Sequence, residues 1–312
     1  MRSLSSFFIL CFVSFNNGIF CDAAPTLYDF GPGTIGAPMV FQVSTNYGTY
    51  EPTFEYRFKF DQFPQYDKTI VKYGFMEYKV TFESAKAGNY SVKIDVLHCR
   101  QGFPTYWIGT VNSTFQLTDS LTGTIAVNDD ANKKVVSTAE AYKLTARMTY
   151  YFGFFDSANI TYKWIINDEP QEGNDSVIQH TFSQPQLNNI SVIVTATKTN
   201  GSGLIQKSGT FNTTLESRAP ITNLTVDGPT EVKVFERLQL DCKIHGATPP
   251  FHYEYSFRMD KPYSEQITAM KDSNESFFSL IRYFSGKGTR SLKIVAKNDV
   301  SSFTKNMDIS VY

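Results

Sequence analysis

Tyr90-Ser91-Val92-Lys93-Ile94-Asp95-Val96 is the stretch from which the fold of this chain is read. Apolar and polar residues alternate through it, the period of a strand with one buried face. One hundred residues on, the pattern returns as Ile190-Ser191-Val192-Ile193-Val194-Thr195-Ala196, and after another hundred as Arg290-Ser291-Leu292-Lys293-Ile294-Val295-Ala296. Ahead of each copy lies an aromatic run: Tyr56-Arg57-Phe58-Lys59-Phe60, Tyr162-Lys163-Trp164-Ile165-Ile166 and Tyr253-Glu254-Tyr255-Ser256-Phe257. Two motifs in fixed order, three times over, predict three copies of one domain. Tyr56 and Phe58, Tyr162 and Trp164, and Tyr253 and Tyr255 share a parity that points them into the core.

Working outward, the expected fold is all-β: three tandem Ig-like β-sandwiches over residues 24–121, 122–218 and 219–312, after a signal peptide over 1–23. Arg2 and the apolar run from Leu4 to Phe15 carry the signal, with cleavage near Cys21 or Ala23. Aromatics make up 15% of the 312 residues, which favours strands. The net charge of −1 implies no basic face, so no nucleic-acid partner is expected, and no electrostatic hold on an anionic membrane.

Asn-x-Ser/Thr triplets begin at Asn89, Asn112, Asn159, Asn174, Asn189, Asn200, Asn212, Asn223 and Asn274. These nine take half of the 18 asparagines, where composition alone would give roughly three, which points to passage through the secretory pathway. Asn89 and Asn189 fall on the outward parity of the repeated strand. Beyond the signal only Cys99 and Cys242 remain, in different repeats, so the intradomain disulfide of antibody domains is disfavoured. They read either as unpaired thiols or as partners in an interdomain or intermolecular bridge, with Cys99 the candidate for the latter.

The strands expected include Met39 to Thr45, Phe54 to Phe60, Tyr73 to Phe82, Val135 to Arg147, Val177 to Phe182, Val232 to Ile244 and Phe277 to Phe284. Short joints, one of them containing Pro220, predict a semi-rigid rod of three beads.

Ile178-Gln179-His180-Thr181-Phe182, Val194-Thr195-Ala196 running toward Asn200-Gly201, Ile294-Val295-Ala296-Lys297-Asn298 and Ala87-Gly88-Asn89-Tyr90-Ser91-Val92 resemble the polycystic-kidney-disease (PKD) module. Its pattern runs W-x-F, V-x-H-x-Y/F, then G-x-Y-x-V-x-V-x-A-x-N. The first repeat lacks the His; the third has Arg290 where the Tyr belongs, and Arg282 in the preceding strand. A signal peptide, tandem PKD-like domains and many sequons together resemble ectodomains of the premelanosome protein and transmembrane glycoprotein NMB family. That resemblance implies a type I membrane glycoprotein, of which this chain is either a secreted form or the part whose anchor lies outside it.

Catalytic chemistry finds little support. His98 and Cys99 are neighbours on a strand and face opposite ways. His245 and His252 flank Gly246-Ala247-Thr248-Pro249-Pro250, and Asn128-Asp129-Asp130-Ala131-Asn132 is an oxygen-rich cluster that reads as a turn or as a calcium site. No catalytic residue, cofactor or metal is expected. Tyr47, Tyr50, Phe63, Tyr66, Tyr106, Trp107, Tyr151, Phe154 and Phe155 fall in or near loops, either as a binding face or as satellite cores. The expected role is non-enzymatic: adhesion or protein–protein contact at a cell surface or in a secretory organelle. The alternatives are a self-associating matrix protein bridged through Cys99, or the spacer of a secreted hydrolase.

Overall fold

The alternating runs become strands, and among the described residues the one helical turn is a short 3-10 segment at Pro64–Tyr66. The computed structural model describes residues 25–29, 31–45, 53–99, 105–149, 151–200, 203–259 and 267–312. The signal segment expected over 1–23 lies outside them, as do Tyr47 and Tyr50, and Asn200 is described in its backbone alone. Two compact units divide the chain, residues 1–119 and 120–312.

The first unit is one sandwich. Its three-stranded sheet orders β1 (Thr26–Asp29), β3 (Pro38–Ser44) and β6 (Met76–Thr81). Its five-stranded sheet is formed by β2 (Gly33–Thr34), β8 (Tyr106–Thr118), β7 (Gly88–Cys99), β4 (Thr53–Phe60) and β5 (Lys68–Tyr73), in that order. Phe41 and Val43 from one sheet meet Phe54, Tyr56, Phe58, Phe60, Val92, Ile94 and Val96 from the other in one core. Tyr56 lies wholly inside, and its hydroxyl donates to the Gly74 carbonyl (2.6 Å).

The second unit holds two sandwiches of the same topology. In the middle one, β14 (Val177–Thr181), β11 (Ala141–Met148) and β9 (Gly123–Val127) face β10 (Val135–Ser137), β16 (Gly203–Arg218), β15 (Gln186–Asn200), β12 (Asn159–Ile166) and β13 (Glu169–Pro170). In the last, β17 (Asn223–Asp227), β19 (Leu238–His245) and β22 (Phe277–Arg282) face β18 (Glu231–Val232), β24 (Ser301–Val311), β23 (Gly288–Asn298), β20 (Phe251–Met259) and β21 (Ile267–Ser273). These are Ig-like all-β sandwiches. In each, the leading chain first pairs antiparallel in the small sheet, then crosses to run parallel to the last strand of the large one: β2 with β8, β10 with β16, β18 with β24. Gly31-Pro32 and Gly228-Pro229 stand at that crossing in the outer sandwiches; Gly31 and Gly228 both have positive φ (86° and 142°), where a Cβ is strained. The middle sandwich turns instead at Asn128-Asp129.

The repeated strands β7, β15 and β23 pair with β4, β12 and β20, and this pairing corrects the alignment of the aromatic runs. Tyr56, Ile160 and Tyr253 oppose Val96, Ala196 and Ala296; Phe58, Tyr162 and Tyr255 oppose Ile94, Val194 and Ile294; Phe60, Trp164 and Phe257 oppose Val92, Val192 and Leu292. Trp164 is therefore the counterpart of Phe60, two residues from where the shared leading Tyr sets it. Trp164 is fully buried, its Nε1–H donating to the Asp175 carbonyl (3.0 Å), and Phe58 and Tyr253 are buried. Tyr162 and Tyr255 are only half-buried; Tyr255 still packs against the core of the last sandwich, while Ser256 on the opposite parity is 7% exposed.

Three expected strands prove to be two each. Val135 to Arg147 breaks at Thr138–Glu140 and Val232 to Ile244 at Lys233–Arg237, because the chain changes sheet there; Tyr73 to Phe82 breaks at Gly74 (φ 67°). Arg290 is 8% exposed, yet it has a partner: its Nη2 donates to the Gly286 carbonyl (2.9 Å). Tyr90 makes the same bond four residues back, its hydroxyl donating to the Lys86 carbonyl (2.7 Å). Different chemistry thus ties the same loop.

Gly209 marks a close crossing at the start of the middle sandwich, where the Leu121 N–H donates to the Ser208 carbonyl (3.0 Å). A Cβ on Gly209 would run into the Leu121 carbonyl oxygen, a backbone atom with no rotamer in which to yield. Gly209→Ala is expected to destabilise the second unit by about 1–3 kcal/mol through overpacking. Chemical denaturation followed by circular dichroism tests this, and an unchanged midpoint would contradict it.

Candidate functional site: the sequon-bearing sheet faces

Strand parity decides where each sequon asparagine points. Val92, Ile94 and Val96 face inward on β7, and Phe115 and Leu117 on β8, so Asn89 and Asn112 stand on the outward face of the large sheet of the first sandwich. In the middle sandwich the inward rows are Trp164 and Ile166, Ile190 to Ala196 on alternate positions, and Phe211 with Leu215. Asn159, Asn189 and Asn212 take the opposite parity and share the outward face of that large sheet. Asn188, one residue from a sequon, is 1% exposed and fully engaged: its Nδ2 donates to Ser217 Oγ (2.9 Å) and its Oδ1 accepts from Asn167 Nδ2 (2.9 Å). One step along a pleated strand separates a core amide from a surface one.

Asn174 follows Gly173 in the loop before β14, Asn223 opens β17, and Asn274 lies in the turn between β21 and β22. All eight sequon asparagines whose side chains are described are exposed. Five of the nine lie on the outward faces of the large sheets of the first two sandwiches, a partition that strand parity makes visible from sequence once the strands are placed. The large sheet of the last sandwich has none. Its outward face carries instead the Lys297–Glu254 ion pair (3.5 Å) and a contact of His252 Nδ1 with Asp272 Oδ1 (2.6 Å).

The loop aromatics mostly pack inward. Phe63 and Tyr66 join Phe82 and Tyr90 in a satellite cluster, with centroids 5.0 Å apart for Phe63–Phe82 and for Tyr66–Phe82. Tyr151 and Phe155 are buried, and Phe154 lies under the Lys198 ammonium, which also donates to the Phe154 carbonyl (2.8 Å). Tyr106 and Trp107 remain exposed (46% and 64%), and Trp107 Nε1–H donates to Thr110 Oγ1 (3.3 Å).

The chemistry-bearing residues do not converge. His98 is held between Phe54 (5.9 Å) and Tyr106 (4.8 Å). Burial, and next the Glu55 charge, raise the pKa of the half-buried Cys99 thiol, which disfavours the thiolate a nucleophile needs. Cys242 is sealed in the core of the last sandwich and pushed up to about 12 by burial, so it is closed to any bridge with Cys99. His245 Nε2 meets Thr225 Oγ1 (2.9 Å), while His252 Nδ1 meets Asp272. The 128–132 cluster is a turn: Asn128 and Asp129 adopt positive φ (47° and 68°), Val127 and Asp130 exchange backbone bonds, and Asp129 pairs with Lys143 and Arg147. No group of three or more potential metal ligands occurs among the described residues, and no helix among them is long and apolar enough to cross a membrane.

His180, on the inward parity of β14, is half-buried with its ring edge-to-face on Phe182 (4.7 Å). Burial lowers its pKa below 6.5. The unfolded chain therefore binds the proton first as pH falls, so the contribution is complete above the unfolded pKa and is lost as pH drops toward the folded one. The thermal midpoint of the second unit is expected to fall between pH 7.5 and pH 5, and less so in His180→Gln. Equal slopes in both proteins would contradict this. Cys242 should resist alkylation in the native protein and react only in denaturant, as mass spectrometry of labelled peptides would show.

No protein-family model matches the chain, and no curated protein matches it. Among solved structures it is similar to Escherichia coli alpha-2-macroglobulin in its native conformation (7% identity, TM-score 0.26, 90% of this chain and 24% of that one). It is also similar to the same protein activated by porcine elastase (9%, 0.25, 94% and 35%) and to a Salmonella alpha-2-macroglobulin mutant (9%, 0.23, 95% and 24%). The chain spans about a quarter to a third of the length of those proteins.

Proposed function

We propose that this chain is a non-enzymatic glycoprotein of the secretory pathway, extracellular or the lumenal part of a membrane protein, whose tandem sandwiches bind other proteins. The observation that carries the reading is the placement of the sequons. All eight side chains described are exposed, and of these eight the five on strands of the large sheets all have outward parity, where a bulky glycan leaves the core untouched. Kinship with PKD-type ectodomains is part of the same reading, supported by His180 on β14 with its ring against Phe182 just past the strand's end, and by the strand order that the three sandwiches share. Partners would engage exposed aromatics such as Tyr106 and Trp107 at the start of β8, since aromatics of this kind anchor protein contacts.

Expressed in a secreting eukaryotic cell, the full chain should reach the medium with several glycans, lose mass on enzymatic deglycosylation, and show occupied sequons on peptide mapping. Retention in the cytosol without glycans would refute the reading. Non-reducing electrophoresis of the secreted product separates the matrix-protein alternative: a dimer abolished by Cys99→Ser would favour it.

A further inference from the structure

The same edge strand can be compared in three sandwiches. β6 ends one small sheet, β14 another and β22 the third, each paired on one side only among the described residues. Their outward positions differ in chemistry. β6 presents Glu77 and Lys79, and β14 presents Val177, Gln179 and Thr181. β22 presents Phe277 (54% exposed), Ser279 and Ile281 (45%), and the row continues into Tyr283 (58%). Phe235 (73%) is tied beside it, its N–H donating to the Phe284 carbonyl (2.9 Å).

An open, apolar edge is a template for pairing with another chain, and proteins blunt such edges with charge, proline or a cover. The run Phe277-Phe278-Ser279-Leu280-Ile281-Arg282-Tyr283-Phe284 has one charge and no proline or glycine, the pattern of a self-pairing segment. Its first two counterparts carry more polar outward rows. What the third has instead is a sequon at its threshold: Asn274-Glu275-Ser276, exposed, three residues before Phe277. Asn223 is exposed on the outward face of the same sheet, and its strand neighbour His245 lies two residues from Lys243, which opposes Phe277. Asn223 is thus two strand spacings across and two residues along from Phe277, roughly 12 Å away.

We infer that an N-glycan on Asn274, with that on Asn223 beside it, covers the apolar edge of the last sandwich and prevents β22 from pairing with β22 of a second copy. The inference rests on the secretory-glycoprotein reading. Its geometry is specific. In the antiparallel pairing that sets Phe277 opposite Ile281 of the second copy, Asn274 stands opposite Phe284 of that copy. A glycan there obstructs the ladder at both ends.

The test uses the full chain secreted as wild type, Ser276→Ala, Ser276→Ala with Ile281→Lys, and Ser91→Ala as a control that removes the Asn89 sequon. Ser276→Ala keeps the backbone carbonyl to which the Ile244 N–H donates (2.8 Å). Peptide mass spectrometry reads site occupancy, and size-exclusion chromatography with light scattering reads assembly. Expected are a monomeric wild type with Asn274 occupied, association of Ser276→Ala at a concentration at least tenfold lower, and return to monomer with Ile281→Lys. The Ser91→Ala control stays monomeric. An unoccupied Asn274 among occupied sequons overturns the inference and leaves the secretory reading standing, as does a monomeric Ser276→Ala. Association of the control equal to that of Ser276→Ala also overturns it. A chain with no sequon occupied overturns both.

Discussion

Everything in these sandwiches depends on the register in which each repeated strand pairs with its aromatic neighbour. Phe58 opposite Ile94, Tyr162 opposite Val194 and Tyr255 opposite Ile294 are one interaction made three times. A slip of one residue would turn every inward side chain to solvent and every outward one to the core. In the middle sandwich such a slip would expose Val192 and Val194 and bury the sequon at Asn189. Core and surface chemistry are therefore set by the same pairing.

No disulfide holds that pairing, so apolar packing must. In the first sandwich Phe41, Phe60, Phe82 and Phe115 make edge-to-face or stacked contacts with centroids between 5.2 and 5.9 Å. Each such pair contributes about 0.5–1.5 kcal/mol beyond burial, so four or five match the roughly 2–4 kcal/mol typical of a disulfide. Within the second unit the joint is fixed by polar contacts instead. Arg218 joins Glu216 (2.9 Å) and Asp299, the Ala219 N–H donates to Thr248 Oγ1 (2.9 Å), and Asn298 Nδ2 donates to the Ala219 carbonyl (2.9 Å). Pro220 lies in the middle of this set, which limits swing by hydrogen bonds as well as by ring geometry.

The repeat and the class of fold were legible because alternation at period 2 survives in β7, β15 and β23. Other features left weaker marks. β5 carries six largely exposed residues, KTIVKY, so no alternation betrays it. The crossing between sheets at Ser137–Ala141 interrupts a run whose composition stays strand-like on both sides, and only pairing reveals it. Trp164 was placed in the core for the right reason but in the wrong row, since a shared leading Tyr is not a shared register. Arg290 looked like a flaw in the pattern because sequence compares residue types. The structure compares hydrogen bonds, and there Arg290 and Tyr90 agree.

The candidate surface was legible to the same depth as the strands. Parity placed Asn89 and Asn189 outward from sequence alone; Asn112, Asn159 and Asn212 needed their strands located first. On the proposed reading as a secretory glycoprotein, their gathering on two large sheets would make those faces poor ground for a flat protein interface, which must exclude water over some 800 Å² per partner. A bulky glycan rising from the middle of a sheet prevents that closure. The three domains share one topology, but their sequons are unevenly divided: the outward large-sheet faces of the first two sandwiches carry five, and that of the last carries none.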